Sequence, residues 1–371
     1  MKKLLLIILI FIILGIGLYF LKTPIQKLLF QPIVPSGDLG LTKNQIPAPN
    51  IEVVAANLTI PWEIAFLPSG EMLVTERIGN LLKIGQDKKV IKIEGVTAVG
   101  EGGLQGLSLH PDFKNNQWLY LYLTAKSNGV LANRVERYKL IGNKLEDKTI
   151  IFDNIPAAQF HDGGRLAFGP DQKLYITTGD AGESEKAQDL NYLGGKILRL
   201  NDDGSIPEDN PYNTAVYSYG HRNPQGLTWD NENRLWSTEH GRSGIASGYD
   251  ELNLIQKGGN YGWPIIQGPE TKTGLIAPVI QSGASQTWAP AGAIYWNGSI
   301  FFTGLRGEAL YQFNLDTQKL TTHFFKEYGR LRALVIGLNN FFYLSTSNKD
   351  GRGEINEGDD KIIKINPEIF R

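Results

Sequence analysis

With 371 residues, 42% of them hydrophobic, the chain can bury a large core, as two ordinary domains or as one large all-β or α/β unit. Lys plus Arg number 37 against 38 Asp plus Glu, so no global field draws nucleic acid or an anionic membrane to the surface. There is no cysteine, which excludes disulfides, thiolate zinc sites and thiol nucleophiles and leaves oxygen and histidine to hold any metal.

Lys2 and Lys3 precede an uncharged run, Leu4 to Leu21, about the length that crosses a hydrocarbon core as a helix. No small-residue cleavage pattern follows, so residues 1–21 are expected to be a membrane anchor left uncleaved, with a cleaved signal segment and a secreted protein as the alternative. The two lysines hold the N-terminus in the cytoplasm and make the rest of the chain extracytoplasmic. Residues 22–49, with prolines at 24, 32, 35, 47 and 49, read as a tether.

From residue 50 onward six segments share one pattern: "WEIAFLPSGEMLVTE", "LQGLSLHPDFKNNQWLYLYL", "GRLAFGPDQKLYITT", "PQGLTWDNENRLWSTE", "AGAIYWNGSIFFTGL" and "RALVIGLNNFFYLSTS". Each is an apolar strand, a turn rich in Pro, Asp, Asn or Gly, and a second strand rich in aromatic and β-branched residues. A third alternating stretch follows each hairpin, as in "NLLKIGQ" and "GGKILRLND", and no long 3.6-residue periodicity appears. The turns recur at spacings of about 40 to 65 residues, which suits four-stranded units. The predicted fold for residues 50–371 is therefore an all-β six-bladed β-propeller of four-stranded antiparallel blades.

In such a ring, the loop entering each innermost strand and the loop leaving the next strand open on one face. The entering loops carry Glu101 and Gln105, His161 and Asp162, His221 with Arg222 and Asn223, Trp288, and Arg330 with Arg332. The leaving loops carry Glu76 and Arg77, Asp180, Glu239 with His240, and Arg306. Chemistry-bearing side chains thus gather at one mouth of the channel. Each has a bland reading as well: a loop histidine is usually solvated, and paired arginines often face acidic neighbours. The sharper reading makes a histidine a base with an ordinary pKa near neutrality. It makes Arg222, Arg306, Arg330 and Arg332 guanidinium forks for a ligand with several negative groups. The glycines beside His161 either satisfy a tight turn or admit a flat ligand. In "EHGRSGIASGYDELNLIQKGGNYGWP", Glu239, Gly241, Arg242, Tyr249, Asp250 and Glu251 offer oxygens to a hard cation, unless the acidic pair simply faces water.

The motifs "GEGGLQGLSLHPDFKNN", "HDGGRLAFGPDQKLY", "GHRNPQGLTWD", "DELNLIQKGGNYGWP" and "GRLRALVIG" resemble, in the same order, the soluble quinoprotein glucose dehydrogenase and aldose sugar dehydrogenase family. The resemblance covers nearly the whole chain beyond residue 50. It implies a six-bladed propeller that binds pyrroloquinoline quinone (PQQ) and Ca2+ and oxidises the anomeric hydroxyl of an aldose sugar to a lactone. It implies that His161 is the general base and that Arg222 and Asn223 contact the quinone oxygens. Arg330 and Arg332 would hold cofactor carboxylates, and the carbonyls of Gly241 and Arg242 would hold calcium. This sequence has Glu101 where a cofactor-contacting Gln is expected, Arg242 in place of a Pro, Arg306 in place of a Lys, and extra length at 243–247. Trp288 either packs over the cofactor or lies in the core. The expected partners are the sugar, an electron acceptor the sequence does not name, and the membrane through the N-terminal segment, for a monomer or homodimer. Two other readings stay open: a non-catalytic extracellular recognition propeller and a metal-dependent lactone or ester hydrolase.

Overall fold

The computed structural model describes residues 50–127, 129–243 and 247–371. The anchor expected at 1–21 and the tether at 22–49 lie outside these residues; among the described ones no helix is long and apolar enough to cross a membrane.

The first strand, β1 (Ile51–Ala55), belongs to the last blade. Blade one is β2 (Pro61–Phe66), β3 (Met72–Glu76), β4 (Asn80–Ile84) and β5 (Lys88–Lys92). Blade two is β6 (Leu104–Leu109), β7 (Trp118–Ser127), β8 (Val130–Ile141) and β9 (Lys144–Pro156). Blade three is β10 (Leu166–Phe168), β11 (Leu174–Thr178), β12 (Lys196–Leu200) and β13 (Val216–Tyr219). Blade four is β14 (Pro224–Trp229), β15 (Leu235–Glu239), β16 (Glu251–Ile255) and β17 (Ile280–Gln281). Blade five is β18 (Pro290–Trp296), β19 (Ser299–Gly304), β20 (Ala309–Asn314) and β21 (Leu320–His323). Blade six is β22 (Leu331–Ile336), β23 (Phe342–Thr346) and β24 (Ile362–Ile365), completed on its outer edge by β1. All neighbours pair antiparallel, and the innermost strands β2, β6, β10, β14, β18 and β22 touch one another in a closed cycle. The architecture is the predicted one.

Side-chain alternation explains why strands in the middle of a blade are apolar on both faces. In β3, Leu73 joins the cluster shared with blade two, whereas Met72 and Val74 join the cluster shared with blade six. In β7, Leu119, Leu121 and Leu123 face blade one, while Tyr120 and Tyr122 face blade three. Each of six apolar clusters lies between two neighbouring blades, so the core is a ring of interfaces.

The channel itself is closed by charge rather than by hydrocarbon. Arg165 from blade three pairs with Glu63 of blade one, donates to the Gln225 carbonyl of blade four at 2.7 Å, and stacks 4.4 Å above the Trp62 ring. Arg332 of blade six lies over the same ring at 5.6 Å and donates to Gln225 Oε1 at 3.2 Å. This plug forms a floor on which a site at the mouth can rest.

The interface between blades five and six is rich in aromatic contacts: Phe301 is fully buried, with the rings of Phe342 and Phe370 at 5.2 and 5.3 Å. Phe301→Ala is expected to lower stability by about 3–5 kcal/mol. Chemical denaturation followed by tryptophan fluorescence checks this, and a loss below 1 kcal/mol would show that the two blades repack without the ring.

Candidate active site

A cavity of about 270 Å³ opens at the mouth predicted to collect the loops. Its walls come from blades two to six: Glu101 before β6, His161 before β10, Arg222 before β14, Arg306 after β19, Arg330 and Arg332 at the start of β22, and Arg352 after β23. His161 has a left-handed backbone, φ 63°, held at both ends. Its N–H donates to Glu101 Oε2 at 3.0 Å and its carbonyl accepts the Ala181 N–H at 3.2 Å. The neighbouring glycines serve this backbone packing. A Cβ on Gly179 would collide with the His161 carbonyl, and one on Gly163 would lie 2.5 Å from the Thr177 carbonyl.

His161 Nδ1 lies 2.7 Å from Asp180 Oδ1. The other carboxylate oxygen accepts the Trp263 indole N–H at 2.8 Å, and Gly182 N–H donates to Oδ1. Burial opposes ionisation of Asp180, but the hydrogen bonds from His161, Gly182 and Trp263 outweigh it and hold the carboxyl below its usual range. An ionised Asp180 fixes the proton of His161 on Nδ1, which leaves Nε2 as the basic atom. Asp180 was legible as a residue of this face; its pairing with His161 across 19 positions was not.

Glu101, unexpected beside an anionic ligand, is neutralised inside the site. Its Oε1 pairs with Arg352 Nη1 at 2.7 Å. Burial raises the Glu101 carboxyl, but Arg352 and the His161 N–H prevail and keep it far below the carboxylate range. Arg352, missed in the sequence, stands between two glycines in "DGRGE", a weak signal at best. Arg330 is steadied by Asp350 Oδ2, at 2.8 Å from Nη2 and 3.1 Å from Nε. Arg332 is depressed to about 9 by burial first and by Arg77 and Arg330, against the pull of Asp350. Arg222 donates to Ser243 Oγ at 2.8 Å, with its guanidinium 5.4 Å from the Trp263 ring.

Several groups singled out in the sequence have structural work. His221 is fully buried between Ser218 and Glu239 and stacks on Tyr261 at 4.6 Å, a satisfied core histidine. Trp288 packs its ring against Phe302 and Tyr311 in the core, so of its two readings the structure displays core packing. The Asp250 carboxylate accepts from Gly241 N, Thr287 Oγ1, Trp288 N and Ala289 N, which uses its lone pairs to tie two loops together. Glu239 is taken up by His221, the Arg222 N–H and Asn253. Tyr249, with φ 59°, stacks its ring under Arg242 at 4.4 Å. Among the described residues no three His, Asp or Glu side chains converge as a metal cluster.

The residues present fit an anionic planar cofactor with a hard cation. Asn223 Nδ2, His240 Nε2 and Arg242 Nε are buried without partners, and His240 and Arg242 line the cavity beside the guanidiniums of Arg222, Arg306, Arg330 and Arg332. Burial drives the His240 imidazole down to about 4, against the pull of Asp250 and Glu101, so it is neutral at physiological pH. The short bridge between Arg242 and Gly248 draws the carbonyls of Gly248 and Tyr249 against Gly241, where any Cβ would fill the space. The Gly248 carbonyl accepts the Arg242 N–H at 2.8 Å and the Arg242 carbonyl the Gly248 N–H at 3.3 Å, which fixes the backbone of Gly241 and Arg242, whose carbonyls are of the oxygen type calcium takes.

A family model described as glucose/sorbosone dehydrogenase matches residues 58–357. Quinoprotein glucose dehydrogenase B of Acinetobacter calcoaceticus is 36% identical over 294 residues, 67% of this chain and 60% of that protein. An aldose sugar dehydrogenase of Escherichia coli (strain K12) is 31% identical over 357 residues, 86% of this chain and 93% of its own length. The PQQ-bound aldose sugar dehydrogenase of Streptomyces coelicolor superposes with a TM-score of 0.79 at 38% identity, covering 85% of this chain and 97% of that one.

Asp162, next to His161, supplies a pH signature. Burial, opposed by hydrogen bonds from Asn133 and Ala158, pushes its carboxyl up to about 7, and Oδ2 has no partner. Between the ordinary value of about 4 and 7 the folded state holds one proton more than the unfolded chain, so stability falls as pH rises. Asp162→Asn is expected to remove that slope, on the order of 1 kcal/mol per pH unit, and to exceed the wild type in stability above pH 7. Denaturation midpoints from pH 4 to 8 check it; parallel profiles would reject it.

Proposed function

The chain belongs to the glucose/sorbosone dehydrogenase family, and from that footing we propose that it oxidises the anomeric hydroxyl of aldose sugars to lactones, with PQQ and Ca2+ as cofactors. The observation that carries the reading is the His161–Asp180 pair, whose basic Nε2 belongs to an arginine-walled cavity. When bound, PQQ supplies a two-electron acceptor that no side chain of this protein provides. Arg306, Arg330 and Arg332 are the residues to hold its carboxylates, Arg222 and Asn223 its ring oxygens, and the Gly241 and Arg242 carbonyls the calcium. His161 Nε2 takes the proton from the sugar O1 as the C1–H electron pair leaves and the C1–O bond becomes a carbonyl. Asp180 keeps the acceptor nitrogen facing the substrate and stabilises the imidazolium that forms. Arg222, buried and fixed by Ser243, presents positive charge where negative charge grows. The lysines and apolar run ahead of residue 22 support an extracytoplasmic location. The recognition-only alternative gives no role to a histidine oriented by a buried carboxylate. The hydrolase alternative expects a side-chain metal cluster, which the described residues do not form.

Protein purified without cofactor is expected to reduce a dye with aldoses only after both PQQ and Ca2+ are added. His161→Ala should retain PQQ binding, read by absorbance titration, while kcat falls by about 10²–10⁴-fold. Failure of PQQ to bind in the presence of calcium would sink the proposal and leave recognition as the reading. Arg352→Ala strips Glu101 of its partner, and the PQQ Kd is expected to rise by roughly tenfold or more. Adding Glu101→Gln to that variant should restore affinity; an unrestored double variant would show that Arg352 contacts the cofactor directly.

A further inference from the structure

One side chain of the cavity takes no part in the chemistry above. Phe160 is 47% exposed and is the only Phe, Tyr or Trp among the described residues that line the cavity. Its ring centroid lies 4.8 Å from the His161 imidazole at 66°, and its edge rests on Gly182, where an added Cβ would meet Cε2 at 3.3 Å. Consecutive side chains of an extended strand point to opposite sides, but the left-handed turn at His161 brings both rings to the same cavity. Apart from Ala289 and Leu305, the side chains on the other walls are charged or polar, including Glu101 and the guanidiniums of Arg222, Arg306, Arg330, Arg332 and Arg352. An exposed ring in such company is not explained by folding, since the core clusters omit it.

A pyranose ring has hydroxyls around its edge and axial C–H bonds on its faces. Those C–H bonds are weakly positive and lie well against the negative face of an aromatic ring, while the hydroxyls seek charged donors and acceptors. We infer that Phe160 is the stacking platform for the apolar face of an aldopyranose whose O1 lies at His161. Phe160 therefore sets affinity and selects the cyclic pyranose over acyclic polyols, which have no such face. The inference rests on the reading of the site as one for sugar oxidation. It adds a residue that binds the sugar without touching the bonds that change.

The test uses the full chain loaded with PQQ and Ca2+, as wild type and as Phe160→Ala, Phe160→Leu and Phe160→Trp. Two readouts are taken: glucose oxidation at saturating dye, and saturation transfer by NMR to methyl β-glucopyranoside, whose blocked O1 prevents turnover. The platform predicts that Phe160→Ala raises KM for glucose by roughly tenfold with kcat changed by no more than a factor of about two. Transfer to the ring C–H protons should be lost in the Ala and Leu variants and kept in the Trp variant. An unchanged KM in Phe160→Ala, full rescue by Leu, or an effect confined to the dye would overturn the platform while leaving the oxidation reading in place. Wild-type protein that oxidises no aldose yet shows ring-dependent transfer to the glucoside would do the reverse, keeping the platform and removing the oxidation.

Discussion

The pairing of β1 with β24, Ile51 opposite Ile365 and Val53 opposite Ile363, is the contact on which the rest of the molecule depends. Every blade buries apolar side chains on both faces, so a linear row of six would leave two faces bare to water. Joining the first strand to the last blade removes them, and the sixth cluster, in which Ile64 and Val74 meet Ala333 and Ile362, exists only in the closed ring. The cavity has the same dependence. Glu101 and Arg352, 251 positions apart, form one of its ion pairs.

Closure also concentrates positive charge. Innermost strands converge on the channel, and side chains from opposite blades meet there without water to separate them. Arg165 and Arg332 share the Trp62 surface, and burial depresses both to about 9, each adding to the other's or to a neighbour's repulsion. Buried charges of one sign are costly unless paired. Glu63, Asp350 and Glu101 supply part of the compensation, each fixing one guanidinium in orientation. The guanidiniums of Arg222, Arg306, Arg330 and Arg332 line the same cavity, so closure of the ring gives its mouth a positive field fixed in direction.

A second organising device is the carboxylate that ties loops. Asp250 joins the segment after β15 to the segment before β18, and Asp180 joins His161 to Trp263. Asp180 orients the His161 imidazole, and Asp250 fixes the loop backbones beside the cavity. The loop can therefore carry extra length at 243–247 while Gly241 keeps its anchor on Asp250.

By itself, the sequence determined what local periodicity carries. Hairpins such as 164–178, with Leu174 and Ile176 on one side and Tyr175 on the other, declare two buried faces, and six of them imply the ring. The outer strands were less legible, because a stretch such as Lys88–Lys92 faces water and its alternation is nearly all polar. The mouth that gathers function followed from topology, and His161, Arg222, Arg330 and Arg332 were found there. Only the tertiary structure decided which of these meet: His161 with Asp180, Glu101 with Arg352, Trp288 with the core, His221 with Glu239. The reason is physical. Alternation along a strand is set by neighbours one and two residues away, whereas a polar contact at the mouth depends on the rotation and closure of six blades.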